Sequence, residues 1–407
     1  MNVKQKKAVI IGGSMAGLFA GNLLHRAGWA VTLLEKSTVP LVSRGTGIAT
    51  HPGLIKALLA AGAEFDTATL GVATDRRFFN TLQGEILAEM VVPQQMTTWA
   101  RLLHLLVRAF PADQYHLGQT VTQVHDGDAH KQAQVHLADG RVLEADLVVA
   151  ADGHRSEVRR KLFQAPPLSY SGYVAWRALT PREQLSASAQ AFIRDGFGFQ
   201  QVPGDQMVGY AVLSPEDGHV GVNIVWYRRT DASKLRDILT DAKGVHHPEG
   251  IPPQLLRADV VQWARDEAHR MLHPAWAEVV NTSREVLVQA INDGWCDRMA
   301  LNRVALIGDS AFVARPHVGQ GVVKAAGDAL SMVEHLTHTP DDVPAALARF
   351  SAQRVPVGHL AIKMAQQMGA VIAPPQPQWS DWARYFADPV NLIRETAVEI
   401  PGVAHLA

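Results

Sequence analysis

The stretch Ala8–Lys36, AVIIGGSMAGLFAGNLLHRAGWAVTLLEK, decides the fold of this chain. A short apolar run leads directly into a glycine-rich turn, a pattern with helical spacing follows, and a second apolar run ends on Glu35. This order predicts a strand, a helix and a parallel strand, the unit that binds dinucleotides. In that unit glycines let the backbone approach a pyrophosphate, the helix N-terminus supplies unpaired N–H groups, and the acid accepts bonds from ribose hydroxyls.

The glycine fingerprint departs from the usual pattern at its second position, where Ser14 stands in place of glycine. Serine is small enough for the backbone still to approach a ligand closely. The alternative interpretation is a signal peptide, because lysines precede the apolar run. The glycines and Glu35 have no role in a signal, so we favour a cofactor site. Its predicted residues are Gly12, Gly13, Ser14, Met15, Ala16, Gly17, Glu35 and Lys36.

Composition limits the classes of protein that need to be considered. The 407 residues carry a formal net charge of −1, with acidic and basic residues mixed, so nothing indicates nucleic acid or an anionic membrane as a partner. The single cysteine, Cys296, excludes an intramolecular disulfide framework and a cysteine-based metal cage, and no metal is expected. No apolar run of membrane-spanning length is free of glycine and charge. We therefore expect a soluble cytoplasmic protein.

Two later stretches have the same form as the opening one, a buried apolar run that ends on a glycine-containing turn. Residues 146–151 lead to Asp152, and residues 303–307 lead to Gly308. Because ligands in such folds lie outside the carboxyl ends of the strands, we expect the three turns to meet at one site. Between the two later stretches, residues 173–227 are strand-like and rich in aromatic side chains, which predicts an antiparallel sheet.

These features together predict an α/β fold. A Rossmann-like nucleotide-binding domain is interrupted by an inserted antiparallel-sheet domain that binds substrate, and C-terminal helices follow, including one helix near residues 380–395. The first domain is therefore expected to be discontinuous. The predicted boundaries are 1–72, 98–165 and 286–365 for the nucleotide-binding domain, 73–97 and 166–285 for the sheet domain, and 366–407 for the C-terminal helical segment.

Three stretches resemble the motifs of a known enzyme family. Residues 151–159, ADGHRSEVR, resemble the DG motif of the flavoprotein aromatic hydroxylases, which are FAD-dependent class A monooxygenases. Residues 308–312, GDSAF, and 316–321, PHVGQG, resemble their GD motif and flavin loop. The resemblance extends, in order and spacing, to about residue 365. It implies non-covalently bound FAD as cofactor. It also implies NAD(P)H as a transient co-substrate, since no second glycine-rich unit is present for the nicotinamide.

The resemblance also implies roles for individual residues. In the family the opening unit and Glu35 bind the adenosine half of FAD. Arg44 and Arg101 resemble the arginines near the FAD phosphates, and Asp309 resembles the aspartate that holds the ribityl chain. Val323 stands where the family usually has an asparagine close to the flavin ring. The further cofactor-binding residues implied in this way are Gly45, Asp152, Gly153, Gly308, Pro316, Gly319, Gln320 and Gly321.

Structural alternatives stay open for several of these residues. Asp309 could be a helix N-cap, and Asp152 could cap a helix that begins near Arg155. The glycines of the flavin loop could serve close helix packing. Otherwise, the first amides of the helix that follows Gly321 would face the pyrimidine edge of the flavin, where negative charge develops on reduction.

The chain contains no sequence motif for an activated serine, a zinc site or a Cys/His cluster, which fits chemistry carried by a cofactor. The resemblance implies that reduced flavin reacts with dioxygen and that the resulting flavin hydroperoxide transfers oxygen to an electron-rich ring. The protein must then position the ring and exclude water, which otherwise lets hydrogen peroxide escape. His317, inside the flavin loop, is the predicted catalytic residue, with a purely structural hydrogen bond as the alternative.

Substrate contacts are predicted on the inserted sheet. Asn223 and Tyr227 share one face of a strand, and Asn223 is a polar group in a mostly apolar run. The alternative for Asn223 is a polar residue that faces outward. Tyr210 and Phe199 are further candidates, although aromatic side chains in such sheets usually belong to the core. Together with His317, these four residues form the predicted substrate site.

Three short stretches indicate a branch of the family. Residues 223–228, 311–317 and 324–329 (NIVWYR, AFVARPH and KAAGDA) resemble the 2,6-dihydroxypyridine 3-monooxygenases. The resemblance implies hydroxylation of a dihydroxypyridine-like N-heteroaromatic ring. The alternatives are a carbocyclic phenol such as a hydroxybenzoate, a non-oxygenating flavin oxidoreductase of the same fold, and a flavin-binding sensor or carrier. The expected partners are the ring substrate, dioxygen and NAD(P)H, with a homodimer as the candidate assembly.

Overall fold

A computed structural model describes residues 5–41, 47–213, 218–248, 250–373 and 379–405. The strands are β1 Lys7–Ile11, β2 Ala30–Leu34, β3 Gly47–Ala49, β4 Val72–Asn80, β5 Ile86–Thr98, β6 Tyr115–His116, β7 Val121–His125, β8 Ala133–Leu137, β9 Val142–Ala145, β10 Leu147–Ala150, β11 Ser169–Pro181, β12 Phe197–Val202, β13 Asp205–Leu213, β14 Val220–Arg229, β15 Val286–Asp293, β16 Ala300–Leu301 and β17 Val304–Leu306. The α-helices are α1 Met15–Arg26, α2 Pro52–Ala60, α3 Trp99–Ala109, α4 Glu157–Lys161, α5 Ala187–Ile193, α6 Ala232–Ile238, α7 Ala258–Met271, α8 Pro274–Thr282, α9 Gly321–His338, α10 Val343–Gly369, α11 Ser380–Ala387 and α12 Pro389–Glu395.

The opening strand lies in the middle of a six-stranded sheet with the order β16-β17-β10-β1-β2-β6. β1 runs parallel to β2 and β10, and β10 runs parallel to β17. The register pairs Ile11 with Ala150 and Ala150 with Leu306, so these three strands end at one edge of the sheet. Their near-continuous apolar runs are the pattern of strands buried on both faces. The predicted Rossmann-like sheet is confirmed.

The turn between β1 and α1 requires glycine for steric reasons. Gly12 has a φ of +105°, and a β-carbon there would overlap the carbonyl group of Ala151. A β-carbon at Gly17, in the first turn of α1, would overlap the carbonyl group of Gly12. The helix therefore begins directly against the strand, as close packing at a dinucleotide-binding turn requires.

The second sheet has eight strands in the order β15-β11-β14-β13-β12-β4-β5-β3 and is antiparallel except between β12 and β4. Its two faces bury different cores. On β14, Ile224 and Trp226 pack against the layer that contains α7 and α8, whereas Val225 and Tyr227 face the first domain. The predicted antiparallel-sheet domain is confirmed. The sheet also includes β15 and β3, which come from segments that the sequence assigned to the first domain.

The C-terminal region holds two short helices where one had been expected near residues 380–395. α11 ends before Asp388, whose extended backbone (φ −73°, ψ 119°) is the conformation that a following proline favours. Asp388 then caps α12 by accepting a bond from the Val390 N–H. Within the described residues no helix has the length and apolarity needed to cross a membrane. The same ranges contain no group of His, Cys, Asp and Glu side chains suited to hold a metal ion.

Candidate active site

A cleft of about 2010 Å³ separates the carboxyl-end edge of the parallel sheet from one face of the large sheet. The turns after β1, β10 and β17 all border it, which is where ligands bind in open α/β sheets. Gly13 and Gly308 belong to these turns and Gly17 to the first turn of α1, but none of the three lies in the cleft wall. The predicted cofactor residues in the wall are Gly12, Ser14, Met15, Ala16, Glu35, Lys36, Asp152, Gly153, Asp309, Pro316, Gly319, Gln320 and Gly321.

Glu35 is held in place by the backbone of the two turns beside it. Its carboxylate accepts bonds from the Gly13 N–H and the Ser37 N–H, each at 2.8 Å. The carboxylate is buried at the edge of the cleft and retains lone pairs for further donors. Ser14 is the N-cap of α1, yet its side chain makes no capping bond. Its hydroxyl is therefore available to a ligand in the cleft.

Asp152 lies beside the start of α4, but the N-cap of this helix is Ser156, so the capping alternative applies to Asp152 only through one long bond. One carboxylate oxygen accepts a bond from the Val158 N–H at 3.4 Å, at the start of α4. The other oxygen is buried and has no hydrogen-bond partner among the described residues. Burial raises the pKa of this carboxyl, while bonds from Ser156 and the backbone oppose the rise. The bond from Val158 therefore leaves the other oxygen of Asp152 as an acceptor for a ligand.

Arg159 joins the DG and GD turns to each other. Its guanidinium donates to the carbonyl of Asp309 at 3.0 Å and to the carbonyl of His154 at 2.6 Å. The side chain is buried between the two turns, so it contacts main-chain oxygens and fixes their separation. These bonds give Arg159 a positioning role behind the cleft wall, which it does not itself line.

Asp309 presents an exposed carboxylate to the cleft. The preceding residue, Gly308, is held from both sides: its N–H donates to Asp328 at 3.0 Å, and its carbonyl accepts from the Lys324 ammonium at 2.7 Å. Asp309 follows the strand β17. The strand is buried, but the side chain is exposed, so it needs no protein partner and is oriented by its fixed backbone.

The flavin loop leads into α9 without a capping side chain. Gln320 is the N-cap, and its amide instead donates to the carbonyl of Val398 at 2.6 Å. The N–H groups of the first turn of α9, which begins at Gly321, therefore stay open at the edge of the cleft. This arrangement suits a ligand atom that carries negative charge.

The C-terminal tail forms an unexpected part of the wall. Thr396 and Ala397 border the cleft, and the Ala397 N–H donates to the carbonyl of His317 at 3.3 Å. Arg77 fixes the tail by donating to the carbonyl of Thr396 at 2.6 Å. The contact between Ala397 and His317 could not be predicted, because it joins segments about 80 residues apart by tertiary packing alone.

His317 lines the cleft and packs against two tyrosine side chains. Its Nε2 lies 2.8 Å from the hydroxyl of Tyr173, and its ring centroid lies 4.2 Å from that of Tyr227. Burial, reinforced by the charge of Arg315, lowers the pKa of His317 to about 3. The imidazole is therefore neutral at ordinary pH. The bond to Tyr173 supports the structural alternative, and the catalytic role of His317 stays a prediction.

The four predicted substrate residues on the sheet differ in their positions. Tyr210 and Tyr227 line the cleft. Asn223 is buried beside it, where its Oδ1 accepts a bond from the Gly47 N–H at 3.4 Å and its amide nitrogen has no partner among the described residues. Phe199 is fully buried in the core. The phenylalanine of β12 that lines the cleft is Phe197, whose ring centroid lies 4.4 Å from that of Phe199. Phe199 is therefore a core residue, which was the alternative to a substrate contact.

Of the predicted phosphate contacts, the structure places only Arg101, and it does not bring this residue to the cleft wall. Arg44 and Gly45 lie outside the described residues. Arg101 donates to the carbonyl of Thr69 at 2.6 Å and does not border the cleft, whereas Trp99 in the same helical turn does. The phosphate-binding roles of these residues stay predictions.

Two buried histidines should make the folded protein sensitive to mild acid. Burial lowers the pKa of His51 to about 4 and that of His317 to about 3, from an ordinary value of 6.5. Below pH 6.5 the unfolded chain binds protons that the folded protein does not, so stability falls as the pH decreases. The expected loss is about 1.4 kcal/mol per pH unit for each histidine.

Urea unfolding of the protein between pH 7 and pH 5 measures this loss. The His51→Gln variant should show a shallower dependence on pH, because one of the two histidines no longer contributes. His130→Gln, at an exposed position, is the matched control and should retain the parental slope. Identical slopes for His51→Gln and the parent would contradict the account.

Comparison with known proteins places this geometry in context. Residues 5–190 match a family model described as an FAD binding domain, and residues 170–293 match one described as FAD binding domain-like. The 2,6-dihydroxypyridine 3-monooxygenase of Paenarthrobacter nicotinovorans is 26% identical over 91% of this chain and 92% of its own length. The 6-hydroxynicotinate 3-monooxygenase of Bordetella bronchiseptica is 25% identical over 82% and 83% of the two chains.

A solved structure gives the same result for the fold. The 2,6-dihydroxypyridine-3-hydroxylase from Arthrobacter nicotinovorans superposes with a TM-score of 0.85 at 25% sequence identity. The match covers 92% of this chain and 96% of that one.

The residues around the cleft fit FAD. The Gly12 turn leaves no room for a β-carbon, so its backbone can approach a pyrophosphate, and the fixed carboxylates of Glu35 and Asp309 can accept bonds from sugar hydroxyls. The open N-terminus of α9 offers N–H groups to an electron-rich ring edge. The buried Asp152 oxygen that has no partner among the described residues marks a further contact point.

Proposed function

We propose that this chain, which belongs to the FAD-dependent aromatic hydroxylases, hydroxylates a dihydroxypyridine-like N-heteroaromatic ring. It is an FAD-dependent monooxygenase, and a small aromatic substrate, dioxygen and a reduced nicotinamide are its reactants. The choice between NADH and NADPH, the cytoplasmic location and the homodimer stay predictions.

The parallel-sheet side of the cleft is proposed to hold the cofactor. In this proposal the β1–α1 turn and Glu35 hold the adenosine half of FAD, Asp309 holds the ribityl chain, and the N-terminus of α9 lies against the flavin ring. When bound, FAD supplies the redox chemistry, which comprises reduction by the nicotinamide and activation of dioxygen. The protein contributes binding, orientation and the exclusion of water.

The ring substrate is proposed to lie on the large sheet. Tyr210, Tyr227 and Phe197 provide an aromatic surface there, and His317 borders the same space from the flavin loop. Tyr173 is hydrogen-bonded to the Nε2 of the neutral His317. The imidazole can make one further hydrogen bond, either as donor to a ring oxygen or as acceptor from a ring hydroxyl. The second imidazole nitrogen is the one left for such a bond.

The single observation that supports a dihydroxypyridine is the environment of His317, which is buried with its Nε2 2.8 Å from the Tyr173 hydroxyl. With a pKa lowered to about 3, this histidine is a poor acceptor for the proton of a phenol. A pyridine with two ring oxygens ionises more readily than a phenol does, so it needs no strong base to become electron-rich. The named activities of the two relatives, both on hydroxylated pyridines, support the same substrate class.

Rapid mixing of the holoenzyme with NAD(P)H tests the proposal. The rate of flavin reduction and the uptake of oxygen are followed with 2,6-dihydroxypyridine, with 4-hydroxybenzoate and with no ring compound. We expect the dihydroxypyridine to accelerate both rates. Acceleration by the hydroxybenzoate alone would support the carbocyclic alternative, and reduction without oxygen uptake would support a non-oxygenating oxidoreductase.

Opening space on the sheet side of the cleft should uncouple the reaction. Val225 is buried at the cleft wall, and Val225→Ala would admit water next to the ring. We expect this variant to release more hydrogen peroxide for each NAD(P)H consumed, because water exclusion protects the oxygen-transfer step. Ile224→Val, one residue away on the opposite face of β14, is the control and should keep the parental yield. Equal peroxide yields in all three proteins would contradict the proposed position of the substrate.

A further inference from the structure

Arg177 lies on the face of the large sheet that borders the cleft. It belongs to β11, where it is paired with Val225 of β14 and Leu287 of β15. The neighbouring positions on the same face of β11, Ala175 and Leu179, are apolar. A guanidinium at this position is therefore surrounded by a surface that otherwise suits an aromatic ring.

The guanidinium of Arg177 has no anionic partner within the described residues. Its Nε is inaccessible to solvent and makes no hydrogen bond, and no ion pair connects the side chain to another described residue. Arg228, on the opposite side of the same sheet, shows the contrast, since it pairs with Asp205 at 3.1 Å and with Glu267 at 2.8 Å. A partly buried cation without a counterion is costly, so the site favours an anion supplied by a ligand.

The protein groups near Arg177 do not neutralise it. Burial raises the pKa of Tyr227 to about 12 and raises that of Tyr210 as well, while the charge of Arg177 opposes both shifts. Both phenols are therefore uncharged at ordinary pH, and they border the same part of the cleft. They can donate hydrogen bonds to a ligand oxygen, but neither of them compensates the positive charge, and no other described residue pairs with it.

We propose that Arg177 binds the ionised ring oxygen of the substrate and thereby selects the anionic form of a hydroxylated N-heteroarene. The inference rests on the proposed function and adds a specificity-determining residue to it. A guanidinium suits this task because it is permanently charged and its N–H groups bond oxyanions strongly. The sequence offers one signal for it, an arginine at an inward position of an otherwise apolar strand face.

Ligand titration of the oxidised holoenzyme, without nicotinamide, tests the inference. Dissociation constants are measured from the change in flavin absorbance for anionic 2,6-dihydroxypyridine and for neutral 2-hydroxypyridine. Arg177→Met should weaken binding of the anion about ten- to hundredfold and change binding of the neutral ring by less than about threefold. Arg177→Lys should restore part of the anion affinity, because it keeps the charge.

Arg76→Met is the matched control, because it removes the same charge from the outer side of the sheet, where Arg76 pairs with Glu89. This control should leave both dissociation constants unchanged. Unchanged anion binding by Arg177→Met would overturn the inference, and so would equal weakening for both rings. A loss of FAD affinity with intact ring binding would also overturn it, since Arg177 would then serve the cofactor.

The binding titration separates this inference from the proposed function. Anion binding that depends on Arg177, in an enzyme that never hydroxylates the ring, would support the anion site and overturn the proposed reaction. Hydroxylation with anion binding that is independent of Arg177 would overturn the inference alone. Failure of the parental holoenzyme to bind either anionic or neutral ring would overturn both.

Discussion

Replacing Asp328 by alanine should lower the free energy of unfolding by about 3–5 kcal/mol. Asp328 is the carboxylate of a buried network in which Arg354 lies 2.8 Å away and Lys324 lies 3.5 Å away. All three side chains are at most 3% exposed. Removing the carboxylate leaves two buried cations without a counterion and the Gly308 N–H without its acceptor, which is more costly than the loss of an ordinary contact.

Chemical denaturation at a fixed FAD concentration measures the effect, since cofactor binding itself contributes to apparent stability. Asp341→Ala removes the same charge from an exposed position and should change the free energy of unfolding by less than about 0.5 kcal/mol. A change of similarly small size in Asp328→Ala would contradict the assignment of a buried charge network beneath the GD turn.

Replacing Asp309 by alanine should lower FAD affinity about ten- to hundredfold, the value of a charge-assisted hydrogen bond. The carboxylate is exposed to the cleft, so its removal should leave the stability of the apoprotein nearly unchanged. Titration of apoprotein with FAD, followed by fluorescence, gives the affinity. Asp309→Asn keeps an acceptor without the charge and should fall between the parent and the alanine variant. An Asp309→Ala variant that binds FAD with the parental affinity would contradict the assignment of Asp309 to the cofactor site.

These two aspartates differ in how far the sequence could predict them. Asp309 was recognised because it follows a buried apolar run and a glycine, and the turn after a buried strand is where such folds bind ligands. The role of Asp328 was not apparent, although it lies in a stretch that resembles the family, because its partners are four and 26 residues distant and meet only in the folded state.

The same division applies to the rest of the site. The β1–α1 turn and Glu35 could be predicted because local sterics and periodicity dictate them. The Tyr173–His317 bond and the wall formed by Thr396 could not, because each depends on the packing of segments far apart in the sequence. The sequence shows only that Arg177 occupies one of the alternate, otherwise apolar positions of β11. That it has no counterion among the described residues is visible only in the structure.

Mass spectrometry of the product formed under isotopically labelled dioxygen tests the central claim most directly. The holoenzyme is supplied with NAD(P)H and, in parallel reactions, with 2,6-dihydroxypyridine and with 4-hydroxybenzoate. The proposed function predicts a product of the dihydroxypyridine that contains one labelled oxygen atom next to a ring oxygen, because one atom of dioxygen enters the ring. An unlabelled or unchanged dihydroxypyridine, together with a labelled product from the hydroxybenzoate, would contradict the claim.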